Sequence, residues 1–200
     1  MSTRALLVGA TGTIGSAVAA ALRADAVEVV SAARSGADES VDLSDPGDIR
    51  AMLARVGTVD AIVSCAGAAR FVPLLDATDE DWSFSLANKL MGQINLVRLG
   101  AANVRDGGSI TLTTGVLAER PMPGSSIIST VNAGLEGFVR SAGLELTALR
   151  VNAVSPGWVA ETLTAMGKDP SAGIPAAQVA QAYVRAMSTV AGGEIVPAHP

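Results

Sequence analysis

The chain is poor in the side chains that most often carry chemistry. Its 200 residues include one His (His199), one Cys (Cys65), one Tyr (Tyr183) and two lysines, Lys89 and Lys168. A structural zinc cage needs several Cys or His ligands and is excluded. A Ser-His-Asp or Cys-His site would have to be built on the penultimate residue, which speaks against both. A single Cys leaves no intrachain disulfide, in keeping with a reducing cytoplasm. Positive charge is scarce as well: 14 Lys and Arg stand against 19 Asp and Glu, a net charge of −5. Nucleic-acid binding needs a basic surface over phosphates, so no nucleic-acid partner is expected. No apolar run of transmembrane length is free of charges or glycines, so no membrane partner is expected. Met1 to Arg4 lead straight into strand-like sequence, without room for a signal peptide. These absences predict a soluble cytoplasmic protein.

What is present is a folding pattern. Aromatics are only 3%, yet hydrophobic residues reach 49%, carried by Ala, Val, Leu and Ile. That excludes a disordered chain, and the length suits one domain over residues 1–200 with a sizeable core. Short β-rich runs alternate with longer helical stretches, as in an α/β, Rossmann-type, doubly wound parallel sheet. Ala5 to Val8 read as a strand buried on both faces, Ile14 to Arg23 as a helix, and Val27 to Ala32 as the second strand. A helix follows the Asp45-Pro46 start, then a strand at Val59 to Val63 and a long helix from Asp79 to about Val104. Ser109 to Thr113, Arg150 to Val154 and Gly193 to Val196 give further strands, with helices at Ser126 to Leu146 and Ala176 to Met187. Only the segment Ala33 to Val41 separates the second strand from Asp42. A full parallel crossover needs roughly a dozen residues, so one crossover helix should be missing.

Gly9-Ala10-Thr11-Gly12-Thr13-Ile14-Gly15 follows a buried strand and opens a helix. Glycines there permit a tight turn and close backbone approach, and the helix N-terminus offers free N–H groups to a pyrophosphate. The second strand ends Ala33-Arg34-Ser35, without the acid that would hold the ribose hydroxyls of NAD. A guanidinium pairs with a 2′-phosphate in bidentate fashion, so NADP(H) is the expected cofactor.

With these motifs in place the chain resembles a short-chain dehydrogenase/reductase over nearly its whole length. Gly9 to Gly15 resembles that family's glycine loop, and Asp42-Leu43 the pair beside the adenine. Ser64-Cys65-Ala66-Gly67 sits where Asn-Asn-Ala-Gly is usual. Asn152 to Val159 resembles the segment whose Pro156-Gly157 backbone lies near the nicotinamide, with Val159 just beyond. Cys65 reads as a small packed residue rather than a nucleophile.

The family's catalytic residues do not carry over. The resemblance puts Ile128 at the catalytic Tyr, Asn132 at the Lys, Gly115 at the Ser (after Thr113 and Thr114), and Lys89 at the Asn. Tyr183 lies in the last helix and reads as a buried anchor. Lys and Asn thus exchange places. A desolvated Lys89 would serve as acid or base, with Asn132 and Thr114 as the other candidate catalytic groups; the alternative is a Lys that sends its ammonium to the surface. The leading expectation is an NADP(H)-dependent oxidoreductase for a small carbonyl or alcohol substrate. The alternatives are an NADP(H)-binding regulatory protein without turnover and a non-redox isomerase or dehydratase. The helices from Asp79 and from Ser126 are apolar around more than one sheet face can cover, and the resemblance implies that they pack across a two-fold axis, so a homodimer or homotetramer is expected. The short segment from Trp158 to Ile174 suggests an open or flexible substrate site.

Overall fold

Four consecutive apolar residues, Ala5 to Val8, are all buried, and their side chains alternate between two cores. Leu6 and Val8 face one layer of helices while Ala5 and Leu7 face the other, as the two-residue strand period requires. The computed structural model describes residues 3–188 and 191–199. The strand holding this run, β1 (Arg4–Val8), pairs in parallel with β2 (Glu28–Ala33) on one side and β4 (Val59–Ser64) on the other. The seven-stranded sheet is wholly parallel, in the order β3-β2-β1-β4-β5-β6-β7. The remaining strands are β3 (Glu39–Ser40), β5 (Val104–Thr113), β6 (Arg150–Pro156) and β7 (Ile195–Ala198). Strand order reverses between β1 and β4, where crevices open at the carboxyl ends of open α/β sheets.

Helices α2 (Pro46–Val56), α4 (Gly92–Gly100) and α5 (Ser126–Glu145) cover the Leu6 face. Helices α1 (Thr13–Ala24) and α7 (Ala176–Ser188) cover the Ala5 face. Asp45 caps α2 by accepting from the Gly47 N–H, with Pro46 in the first turn. A helix between β2 and β3 is indeed missing. The two residues of β3 pair with the last two of β2, Ala32 with Glu39 and Ala33 with Ser40. The chain therefore backs up by a single step rather than a whole strand length. Ser31 and Asp38 clamp the turn through three hydrogen bonds of 2.6 to 3.0 Å, and Gly36 supplies the positive φ of 73°.

The long helix expected from Asp79 to Val104 is not uniform. It comprises α3 (Asp79–Ser85), a π-helical turn (Leu86–Met91), α4 and a closing 3₁₀ turn (Ala101–Asn103). A Thr78–Asp81 capping box starts it. β5 begins at Val104, five residues before the apolar run, and its register against β4 shifts between Val59 and Ala61. The segment after Trp158 is more ordered than its glycines and prolines suggested. It forms α6 (Ala160–Ala165) and is tied at its base by a Val159–Ile174 bridge and the Ala160 N–H to Ile174 carbonyl bond.

Candidate functional site

The glycine turn after β1 separates packing needs from other needs. A Cβ on Gly15 would overlap the Gly9 carbonyl, and one on Gly9 would meet the Ala66 nitrogen at 2.7 Å, so the fold requires both glycines. Gly12 is different: its φ of −81° suits any residue, and the nearest protein atom to an added Cβ is 3.5 Å away. The protein itself does not demand glycine there. Helix α1 begins at this point with no side-chain cap and no acid in its first turn, leaving its first N–H groups to an anion.

Gly9, Thr11 and Gly12 line a cavity of about 320 Å³. Arg34 and Ser35 line it past β2, Asp42 and Leu43 past β3, and Cys65, Ala66 and Gly67 past β4. Two serine hydrogen bonds, from the Ser44 hydroxyl and N–H, hold the Asp42 carboxyl below its ordinary range, and the Arg34 charge adds to this. Arg34 is exposed and makes no ion pair among the described residues. Burial pushes the Cys65 thiol up to about 12, so it is no nucleophile at neutral pH. Thr13 lies just outside, on a shallower depression shared with Thr11 and Gly12, while Ile14 and Gly15 turn into the helix packing. The residues present thus fit a dinucleotide. There is an uncapped helix start, a glycine unexplained by packing and an unpaired cation, all around one cavity.

Lys89 sits in the π turn with its stem against Gly67, where an added Cβ would meet the Lys89 Cγ at 3.0 Å. Its Nζ donates to the Thr114 carbonyl at 3.2 Å. The side chain is mostly enclosed, and desolvation lowers its pKa from 10.5 to about 8. It does not snorkel outward. Asn132, buried on α5, donates from Nδ2 to the next carbonyl, Gly115, at 3.3 Å, and its Oδ1 has no partner among the described residues. Thr114 contributes its carbonyl more than its hydroxyl, because the hydroxyl is buried 3.4 Å from the Val154 carbonyl. Ile128 is half-buried on α5. Tyr183 is fully buried, with its hydroxyl 2.7 Å from that of Thr113, as an anchor should be.

Pro156 is buried at the end of β6, Gly157 follows it, and Val159 starts α6. None of the three lines the Arg34 cavity; Gly157 opens instead on a second one. Sequence reasoning missed three residues. Asn88 lines the first cavity and accepts from the Ala68 N–H, and its only signal was adjacency to Lys89. Gln93 clamps the end of β5, donating to the Thr113 carbonyl at 2.8 Å and accepting from its N–H at 2.7 Å. His199, set aside for its place near the end of the chain, lines the second cavity.

Comparison with known proteins agrees with this fold. Residues 9–192 match a family model described as enoyl-(acyl carrier protein) reductase. A 3-oxoacyl-[acyl-carrier-protein] reductase of Escherichia coli is 29% identical over 194 residues, covering 85% of this chain and 79% of the relative. A crystal structure of a Listeria innocua protein superposes with a TM-score of 0.93 at 37% identity, covering 98% of this chain and 99% of the other. A small-chain dehydrogenase solved in complex with NADPH superposes at 0.85 with 25% identity, covering 98% and 96%.

Proposed function

The chain belongs to the short-chain dehydrogenase/reductase family, and on that premise we propose that it is an NADP(H)-dependent oxidoreductase acting on a small carbonyl or alcohol. The observation that carries this reading is the single cavity edged by Gly12, Arg34 and Asp42. The relative solved with NADPH lends it support. The α1 N–H groups would hold the pyrophosphate, Arg34 and Ser35 the 2′-phosphate, and Asp42 with Leu43 the adenine. Ala66, Gly67 and the backbone at Pro156, Gly157 and Val159 would flank the nicotinamide end.

Bound there, NADP(H) supplies the hydride chemistry; the chain must then manage one proton. Lys89 is the group suited to it, because an ammonium with its pKa near 8 yields a proton more readily than an ordinary lysine. Asn132 would hold the same network from the other side as donor and acceptor. A second reading, cofactor binding without turnover, is favoured by a specific observation. Ile128 transfers no proton, the Thr114 hydroxyl is buried against Val154, and Tyr183 lies wholly in the core. NADPH titration followed by a carbonyl panel separates the two. NADPH consumption supports the oxidoreductase, and tight binding with no consumption overturns it in favour of the second reading.

The reading includes self-association. Leu144 on α5 is 83% exposed and Met91 in the π turn 42%, leaving apolar surface on the helices expected to meet a second copy. Light scattering should show a dimer or tetramer at micromolar concentration, and a monomer there overturns this part. A cytoplasmic location accompanies the proposal; among the described residues no helix is long and apolar enough to cross a membrane.

A further inference from the structure

The second cavity, of about 270 Å³, has a lining distinct from that of the Arg34 cavity. Four segments build it at the carboxyl edge of the sheet: the loop after β5 with Val116, Arg120 and Met122, Gly157-Trp158 after β6, Ala172 in the 3₁₀ turn after α6, and His199 after β7. The register explains how a residue so late in the chain arrives there. Pro156 pairs with Ala198, and the Gly157 N–H donates to the Ala198 carbonyl at 3.2 Å, so the next residue lies beside Gly157. A Cβ on Gly157 would stand 2.8 Å from that of His199, so this glycine makes room for the imidazole-bearing residue.

The charge around this cavity runs against that of the chain. No Asp or Glu lines it, although the chain carries 19 acids against 14 Lys and Arg. Among the described residues no carboxylate lies within ion-pair distance of Arg120. Lys168 places its Nζ 5.7 Å from the centre of the Trp158 ring, adding a second cation. The neighbouring Asp169 carboxylate is already engaged by the Ser171 N–H and hydroxyl. An unpaired guanidinium is matched best by a planar carboxylate, which it binds through two parallel hydrogen bonds. The Val116, Met122 and Trp158 walls suit a short hydrocarbon body.

We propose that this cavity is the substrate pocket and that it selects a short carbonyl compound bearing a carboxylate, held by Arg120. The inference rests on the oxidoreductase reading for the ligand's role and adds its chemical class. His199 forms one wall and, as the only imidazole of the chain, reports on occupancy.

The test titrates protein saturated with NADP+, which has no hydride to transfer, with 2-oxobutyrate and levulinate, and with their neutral counterparts 2-butanone and 2-pentanone. Occupancy is read from the His199 imidazole resonances and from Trp158 fluorescence in a Trp82→Phe background. At least one oxo acid should bind tenfold or more tightly than its neutral counterpart. Arg120→Gln should abolish that preference while leaving NADPH affinity unchanged. Equal binding of acid and ketone, no binding of either acid, or an Arg120→Gln variant that keeps the preference would overturn the proposal. NADPH affinity is measured beforehand by the fluorescence of the dinucleotide itself. If it fails, the oxidoreductase reading falls separately, and the oxo acids are titrated against free protein, where the same Arg120-dependent preference is required.

Discussion

Lys89 and Asn132 donate to consecutive carbonyls at the end of β5, Lys89 Nζ to Thr114 at 3.2 Å and Asn132 Nδ2 to Gly115 at 3.3 Å. They come from different helical segments, the π turn and α5, and converge on two adjacent peptide units. Lys89 keeps two further donor positions, and the buried Asn132 Oδ1 has no partner among the described residues. A hydroxyl or a water beside Gly115 would complete both sets, donating to Asn132 Oδ1 and accepting from Lys89 Nζ.

Arg34 should decide cofactor choice. Arg34 lines the cavity and makes no ion pair among the described residues, while Asp42 lines it too with its carboxylate engaged by Ser44. NADPH is expected to bind about tenfold more tightly than NADH, equivalent to one charge-assisted contact of about 1.4 kcal/mol. Arg34→Ala should erase the preference and leave NADH affinity in place. Fluorescence titration measures both, and equal affinities in the wild type would remove Arg34 from the site.

Gly12 and Gly15 should respond in opposite ways to the same added methyl group. Gly15→Ala drives a Cβ into the Gly9 carbonyl and should lower Tm or prevent folding. Gly12→Ala meets nothing closer than 3.5 Å and should melt like the wild type. NADPH should nevertheless bind it about tenfold or more weakly, since the methyl group occupies the place of the close backbone approach. A Gly12→Ala variant that binds normally would remove the pyrophosphate from this turn.

Much of the fold was legible because its strands are unambiguous. Ala5 to Val8 and Val59 to Val63 can only be buried strands, and Ala33 to Val41 is too short for a crossover helix. The π turn was not legible, since a single wider turn barely disturbs hydrophobic spacing; yet it is the turn that carries Lys89. β3 escaped notice because two residues make no pattern. β7 begins two residues after Gly193, whose φ of 86° belongs to the preceding turn. Within the site, the glycine turn and Arg34 announce themselves locally. Gln93 and His199 gain their place in the site from neighbours distant in sequence, Thr113 and Gly157.

The lowered pKa of Lys89 has a consequence for stability. Burial disfavours the ammonium in the folded state, so between about pH 8 and 10.5 the unfolded chain binds more protons than the folded one. Stability contributed at this position therefore rises with pH across that window. A Lys89→Met variant lacks the titration. Below about pH 8 it should gain about 3 kcal/mol from removing a buried charge, less what the Thr114 contact contributed. That gain should shrink steadily and disappear by about pH 10.5. Urea unfolding of both proteins across the window gives the difference directly, and a flat difference would mean that Lys89 is solvated.

The exchanged pair makes the sharpest demand on the proposed chemistry. If Lys89 and Asn132 serve one network, each side chain's value depends on the other. Lys89→Ala should lower turnover, or NADPH affinity where turnover is absent, by about tenfold or more, roughly 1.4 kcal/mol. Asn132→Lys alone would bring a second ammonium toward the carbonyls that Lys89 already serves, and should impair binding through like-charge repulsion. Lys89→Asn alone leaves two amides and no cation. The double variant restores one charge and one amide to the same small volume and should retain more NADPH affinity than either single change. A double-mutant cycle reads this as a coupling energy, which is expected only for residues sharing partners or a common network. Losses that simply add would show that the two positions act separately, and would leave Lys89 as a lone buried amine bonded to Thr114 rather than part of a proton-handling pair.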